Sequence, residues 1–575
     1  MKKKVFTYQL REWVYRVWEE VAGKEKNLLG FEDIVIEHPG DPNYGDYSTN
    51  VAMVLAGKLE KRPLEIAKLL KKELKKIVGK EIGKIEVVAP GFINFWLSKD
   101  YLIDKANLIQ KKDFLKEISK FGKGKTMVID YSAPNIAKSF GIGHLRSTNI
   151  GQAIYNLYQI LGWKTIGDNH LGDWGTQFGK LIVAIKKWWN KDLQNLTVKE
   201  LEKLYVKFHK EAKDKPELED EGRFWFKKLE QGNKEAKRIW QFCVDISLKE
   251  FDEVYKLLGI KIDCAYGESF YHFNGWMDKV LEDVKNKKLL KTSRGAKVVY
   301  IPGLNVPGIL IKSDGATMYL LRDLATVKFR VQKWQPDLIV YEVGTDQKLY
   351  FQQVFSIAEK LGYISSDKLI HIAHGLIRWP HGKFSTRKGD TIHLADIIKK
   401  AIRRSEKLVN SSQTGKVLSQ SEKKKIAKAV GIGGIKFNDL KQEPQKDIIF
   451  DWDKILSIEG YSSPYLQYTY ARSISVLTKS GGVAGVLVKN YKFNFEEMAL
   501  LRTFYQFPEK ILVSASEFSP HILCQYLFDL AQKFNLFYQK HRILNSKPRL
   551  FLTRATANVL KIGLGILGIE ALEKM

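Results

Sequence analysis

Cysteine is scarce. The 575 residues contain three, Cys243, Cys264 and Cys524, far apart and with no CxxC pair or Cys/His ladder. That spacing argues against a disulfide framework and against a structural zinc site, and leaves each as an ordinary packed thiol. Long apolar runs are missing too: no stretch approaches the ~18 residues of a membrane span. The amino-terminal stretch opens on lysines but soon takes up acidic residues at helical apolar spacing, without the apolar core and cleavage site of a secretion signal. A folded domain starting at once and a cytoplasmic location are therefore expected. No period marks a repeat array. Acidic residues are outnumbered, 65 Asp+Glu against 94 Lys+Arg, for a net charge of +29. Such a surplus suits a polyanion, because neutralised phosphates release counterions. On charge alone a nucleic acid, an anionic membrane and a merely well-solvated surface all stay open.

What is present supports several packed bodies. With 44% hydrophobic and 12% aromatic residues the chain can bury large cores, and its length suggests roughly three or four domains. Residues 1–110 read as an α+β unit: a helical pattern from Pro63 precedes a strand-like stretch from Ile85 to Leu97. After a lysine-rich joint, residues 120–445 alternate strand and helix. Thr126–Tyr131, Lys164–Asp168 and Leu338–Val343 are the strand candidates, and a helix after Gly143 gathers Leu145, Ala153, Ile154, Leu157 and Leu161 on one face. This alternation predicts a Rossmann-like, doubly wound parallel sheet. About residues 180–290 read as a charged helical insertion with a polar break near Lys213–Pro216, and residues 450–575 as an all-α helical bundle.

The segment Asp130 to Thr148 carries the most chemistry. It joins a strand's C-terminal edge to a helix N-terminus, where unpaired N–H groups and the helix dipole favour anions. Gly141 and Gly143 permit close approach to the backbone, and Lys138 and His144 offer a charge and a donor to a triphosphate. Far downstream, Gly382 to Asp390 forms a second basic loop through Ser385, Thr386, Arg387 and Lys388. Alone it reads as a solvated turn; paired with the first it reads as a mobile phosphate clamp.

These two loops resemble the HIGH and KMSKS elements of class I aminoacyl-tRNA synthetases. The wider text resembles the arginyl-tRNA synthetases, of bacterial type, over nearly the whole chain. The phrases that carry the likeness include Asn43–Asn50, Pro90–Phe95, Ser132–Lys138, Gly172–Gly179, Ser313–Gly315, Tyr319–Asp323, Phe351–Phe355, Phe384–Gly389 and Tyr465–Tyr468. There are two departures: the first His of HIGH is Gly141, and the second lysine of KMSKS falls at Thr386. By the resemblance, Lys138 supplies the missing charge, with Lys388 as second candidate.

The resemblance further implies an arginine pocket of Asn135, Tyr319, Asp323 and Gln347, with Asp130 beside it. Carboxylates suit a planar guanidinium because they meet it in a bidentate way. The blander reading of Asp323 is an ion pair with Arg322 or a helix cap. The implied reaction is ATP-dependent activation of L-arginine followed by transfer to tRNA(Arg). Mg2+ would travel on the ATP phosphates, no structural zinc would be needed, and the enzyme would be a monomer. The N-terminal unit would meet the tRNA corner and the bundle would read the anticodon, through Tyr465, Tyr468 and Tyr470 as stacking faces and the terminal Met575 nearby. Three other readings are a nucleotidyltransferase with a HIGH-type site, a class I synthetase for another amino acid, and a non-catalytic RNA-binding relative.

Overall fold

The computed structural model describes residues 6–111, 113–379, 382–383, 393–412, 414–482 and 487–575. Near the N-terminus the helices Phe6–Val21, Val51–Leu59 and Pro63–Ile77 accompany an antiparallel sheet of β1 (Tyr47–Thr49), β2 (Ile82–Val88) and β3 (Phe92–Leu97), in the order β1-β3-β2. Pro63 at the first helical position presets the helix start, and Ile66, Ala67, Leu70 and Leu74 form its buried stripe. The strand-like stretch from Ile85 to Leu97 is thus most of a hairpin rather than one strand.

The stretch after Asn43 is built into this unit. Gly45 has φ +100°, and a Cβ there would stand 2.8 Å from the Phe95 carbonyl oxygen, so glycine is required. Asp46 accepts from the Leu97 amide at 2.8 Å, and Ser48 donates to Asn94 at 2.6 Å. Tyr47 is buried and donates at 2.9 Å to Glu509 of the C-terminal helices, which His38 also reaches, at 3.3 Å.

The central sheet holds β4 (Thr126–Asp130) and β5 (Lys164–Asp168). A second small sheet follows the helical insertion: β6 (Leu290–Ser293), β7 (Ala296–Val299) and β8 (Gly308–Ile311), antiparallel and in that order. The chain then returns to the central sheet with β9 (Leu338–Gly344) and β10 (Leu369–His374), giving the order β10-β9-β4-β5, all parallel. Alternate side chains feed two cores. Met127, Ile129, Val340 and Ile372 join the helix Leu145–Ile160, while Ile339, Tyr341 and Leu369 join the helices Tyr319–Trp334 and Lys348–Lys360. Helices cover both faces, the doubly wound arrangement that the strand and helix alternation predicts. The sheet β6-β7-β8 has no counterpart in the sequence reading; its strands are only four residues each.

The insertion consists of the helices Thr176–Trp188, Val198–Asp214, Glu217–Glu230 and Lys234–Leu258. The polar break at Lys213–Pro216 separates the second and third of these. Beyond the sheet, Leu394–Ser411 and Gln420–Leu440 lead into a helical bundle of Ser463–Lys479, Phe495–Phe504, Phe507–Ser516, His521–Lys540 and Lys547–Ile566. The helix Gln420–Leu440 buries its whole second half, and Asp439 there accepts from Arg146 at 2.8 Å in full burial. Cys243 and Cys524 are buried as packed thiols. Among the described residues no helix is long and apolar enough to cross a membrane.

Candidate active site

The strand order reverses between β4 and β9, which opens a crevice at their C-terminal ends; ligands of open α/β sheets sit in such crevices. The chain leaving β4 enters it at once. Ser132, Ala133 and Ala137 all adopt left-handed φ, at 75°, 41° and 63°, a strain that only a well-anchored loop sustains. The anchors are specific. The Ser132 amide donates to Ser147 Oγ at 2.9 Å, the Ala133 amide to Asn169 Oδ1 at 3.0 Å, and the Ala137 amide to Ser247 Oγ at 2.9 Å.

Gly141 to His144 forms a tight turn that runs into the helix Leu145–Ile160. Gly143 is exposed, and the space where a Cβ would point is open, as access for a ligand requires. The His144 ring packs on Phe140 at 5.3 Å, and its Nδ1 is buried without a partner. Burial pushes its pKa below the ordinary histidine value, and the charges of Lys138 and His374 push the same way, so the imidazole is neutral at neutral pH. Lys138 is exposed, with its ammonium 6.0 Å from the Tyr205 ring. Gly141 is bridged to His393, so the chain carrying the second basic loop re-enters against the first loop. Ser385, Thr386, Arg387 and Lys388 lie outside the described residues.

On the other side of the crevice the helix Tyr319–Trp334 begins with an exposed Tyr319 and places Asp323 one turn later. Asp323 accepts from the Tyr350 hydroxyl, and its second oxygen lies 3.7 Å from His170 Nε2. Arg322 pairs instead with the buried Glu268, at 2.8 Å, so the blander pairing of Asp323 with Arg322 is not what the fold contains. Burial pushes the Asp323 carboxyl above its usual range and the Glu268 carboxyl up to about 8. Asn135 is exposed and bridged to Gly172, two residues beyond His170, so it flanks the segment that Asp323 faces. Gln347 is exposed at the N-terminal end of the helix Lys348–Lys360 that carries Tyr350. Asp130 is more enclosed: it accepts from Arg330 Nη2 at 2.8 Å, while Arg330 Nε serves Asp168 at 2.8 Å. Asp130 and Asp323 thus sit near opposite ends of one helix's inner face.

In the bundle, Tyr468 is 40% exposed, and the Arg472 guanidinium lies between it and Tyr538, 4.7 and 4.8 Å from the ring centres. These three line a groove of about 530 Å³ together with Lys479, Arg542 and the terminal Met575. Tyr465 packs against Phe528 at 5.4 Å, and Tyr470 is buried.

Three families match the chain in succession. Residues 16–97 match the arginyl tRNA synthetase N terminal domain, residues 105–452 the class I tRNA synthetases (R), catalytic domain, and residues 466–575 the DALR anticodon binding domain. The chain belongs to the class I arginyl-tRNA synthetase family. The arginine–tRNA ligase of Clostridium kluyveri is 40% identical, with 97% of this chain and all of that one covered, and that of Clostridium perfringens is 39% identical, with 96% and 98% covered. The crystal structure of Plasmodium falciparum arginyl-tRNA synthetase superposes with a TM-score of 0.83 at 25% identity, covering 98% of this chain and 99% of that one. The Thermus thermophilus arginyl-tRNA synthetase structure has the same fold, with a TM-score of 0.83 at 23% identity, covering 99% of this chain and 100% of that one.

Within this arginyl-tRNA synthetase family member, the sequence reading missed the residues that hold the pocket from behind: Asp168, His170, Glu268, Arg330 and Tyr350. Asp168 and His170 lie just ahead of the family-like stretch Gly172–Gly179, and an Asp at a strand's C-terminal end is a readable signal. Glu268, Arg330 and Tyr350 give none, because their partners lie 54, 200 and 27 residues away.

Proposed function

We propose that the chain works as an arginine–tRNA ligase, and that the crevice between β4 and β9 is where it does so. The observation that supports this most is the pairing of a strained loop with open glycine backbone and two carboxylates, Asp323, held by Tyr350, and the buried Glu268, held by Arg322. One half suits a triphosphate and the other a guanidinium. Arginine's fork would lie against Asp323 and Tyr319, with Asn135 and Gln347 serving its α-amino and α-carboxyl groups and Asp130 beside them. Lysine, a point charge, would leave part of that polar wall unpaired, which discriminates without an editing step.

In the first step a carboxylate oxygen of arginine attacks the α-phosphorus of ATP. The bond from that phosphorus to the bridging oxygen breaks, and diphosphate leaves with its Mg2+. The protein's work is positioning and charge neutralisation, through the backbone at Gly141 and Gly143, His144 as donor, and the cations of Lys138, Arg387 and Lys388, with Ser385 and Thr386 in the same clamp. In the second step a hydroxyl of the terminal adenosine of tRNA(Arg) attacks the arginyl carbonyl carbon and AMP departs. The groove at Tyr468, Arg472 and Met575 takes unpaired anticodon bases, with Tyr465 behind it; the net charge of +29 favours the tRNA generally. The domains run over 1–110, 120–445 and 450–575, and the enzyme acts as a cytoplasmic monomer without zinc.

Diphosphate exchange into ATP, run with each amino acid in turn with and without total tRNA, tests this. Exchange with arginine alone, and only when tRNA is present, is the expected result. Exchange with a different amino acid would overturn the pocket assignment.

A further inference from the structure

Among the described residues of the phosphate loop, the donors to a triphosphate are sparse: His144 is held neutral by burial, Lys138 is a single exposed cation, and Gly141 has no side chain. A third group stands at the same strand ends. His374 is the last residue of β10, directly beside the end of β9, and its Nδ1 lies 3.0 Å from Glu342 Oε1. Glu342 is 1% exposed, and its second oxygen has no partner. The Glu342 backbone is tied to the phosphate-loop helix, because its carbonyl accepts from Ser147 Oγ at 2.8 Å. The Nε2 of His374 has no hydrogen-bond partner among the described residues.

We propose that His374, oriented by Glu342, is a catalytic residue that presents Nε2–H to the ATP phosphates and supplies the cationic donor that Gly141 does not. The charges around it favour the protonated ring. Glu342 from β9 and Asp439 from the helix Gln420–Leu440 are two buried carboxylates, and Arg146 offsets one of them. His144 and His371 also face this cluster, as does Asp346 beyond Gly344. An imidazolium at 374 balances the second carboxylate, as buried charges require. Burial alone would depress the His374 pKa, yet Glu342 outweighs it and the net direction is upward from 6.5. The ring and the phosphate loop are near enough for their charges to be felt: His374 is among the groups that push His144 down.

This inference rests on the triphosphate lying in the β4–β9 crevice, and the test separates the two claims. Diphosphate exchange with arginine and tRNA, and calorimetric binding of a non-hydrolysable ATP analogue, are measured for the parent, H374Q, H374N and the double variant G141H/H374Q. Gly141 has φ −83°, a backbone conformation that any residue adopts without strain. Loss of one charge-assisted contact predicts roughly a 10- to 100-fold fall in kcat/KM for ATP in H374Q, with arginine affinity unchanged. The parent's rate should fall as pH rises above the ordinary histidine range, a limb absent from H374Q, and G141H should restore most of the loss. If H374Q and H374N keep the parent's ATP affinity, rate and pH profile, His374 is only packing and the inference is wrong. If the parent itself shows no exchange with arginine, it is the functional reading that fails, while analogue binding still reports on His374.

Discussion

Replacing Arg330 with methionine should damage the catalytic sheet more than any surface change, and in a pH-dependent way. Arg330 is wholly buried, its Nε and Nη2 each 2.8 Å from a carboxylate on a different strand, with Tyr341 5.3 Å below the guanidinium. Methionine fills much of the aliphatic stem but leaves Asp130 and Asp168 unpaired at 6% and 0% exposure. Breaking a buried pair from one side costs about 3–5 kcal/mol, and two stranded carboxylates place R330M in the upper part of that range. A Tm lower by roughly 5–10 °C follows. Burial already lifts both carboxyls above 3.8 in the presence of the guanidinium, and its removal lifts them further. A carboxyl raised in the folded state penalises folding at pH above its folded value, and the penalty fades as pH falls through that value. The Tm gap between R330M and the parent should therefore narrow on going from about pH 8 to about pH 5.5. Because a chain of several domains does not unfold in one step, hydrogen exchange of the β4 and β5 peptides should accompany scanning fluorimetry. R330K, a point charge without the fork, should fall between the two. Equal stability of R330M and the parent at neutral pH, or a gap that does not move with pH, would refute the claim that this guanidinium holds the strand ends.

Two other expectations concern the substrates. Because burial pushes the Glu268 carboxyl up to about 8, arginine affinity measured by calorimetry should rise as pH approaches that value and then level off. E268Q should lose the rise, and an unchanged profile would remove Glu268 from the guanidinium's surroundings. Tyr468→Ala should raise the KM for tRNA roughly tenfold while leaving ATP and arginine kinetics alone, as the loss of one stacking face predicts. The buried Tyr470→Ala should lower the Tm instead; the opposite pattern would mean that the bundle reads RNA elsewhere.

The sheet and the phosphate loop were legible because their signals are local. β4 and β9 are short apolar runs, and the helix after Gly143 buries the stripe its spacing announces. The same helix also buries Arg146, Ser147, Thr148, Asn149 and Gln152, which no amphipathic pattern forecasts. They are buried because the helix is enclosed by the sheet on one side and by the C-terminal helices on the other, and polar partners such as Asp439 arrive from there. Of three tyrosines in one helix, only Tyr468 offers an open face, since Tyr465 and Tyr470 are claimed by packing. Sequence spacing alone does not say which side of a helix in a bundle is free. The pocket's rear wall was hidden for a related reason: the guanidinium that Asp130 holds is brought in from 200 residues away.

The bond from Tyr47 to Glu509 spans 462 residues, and a ribosome adding roughly 5–20 residues per second needs roughly 25–90 s to make that length. For that interval the Tyr47 hydroxyl and the ring beside it lack Glu509 and Tyr505, the C-terminal partners that cover them. A chain cut short before Glu509 would leave the Tyr47 hydroxyl without its acceptor. Chaperones and proteases that scan for such surfaces can thus detect a missing end from the beginning of the molecule.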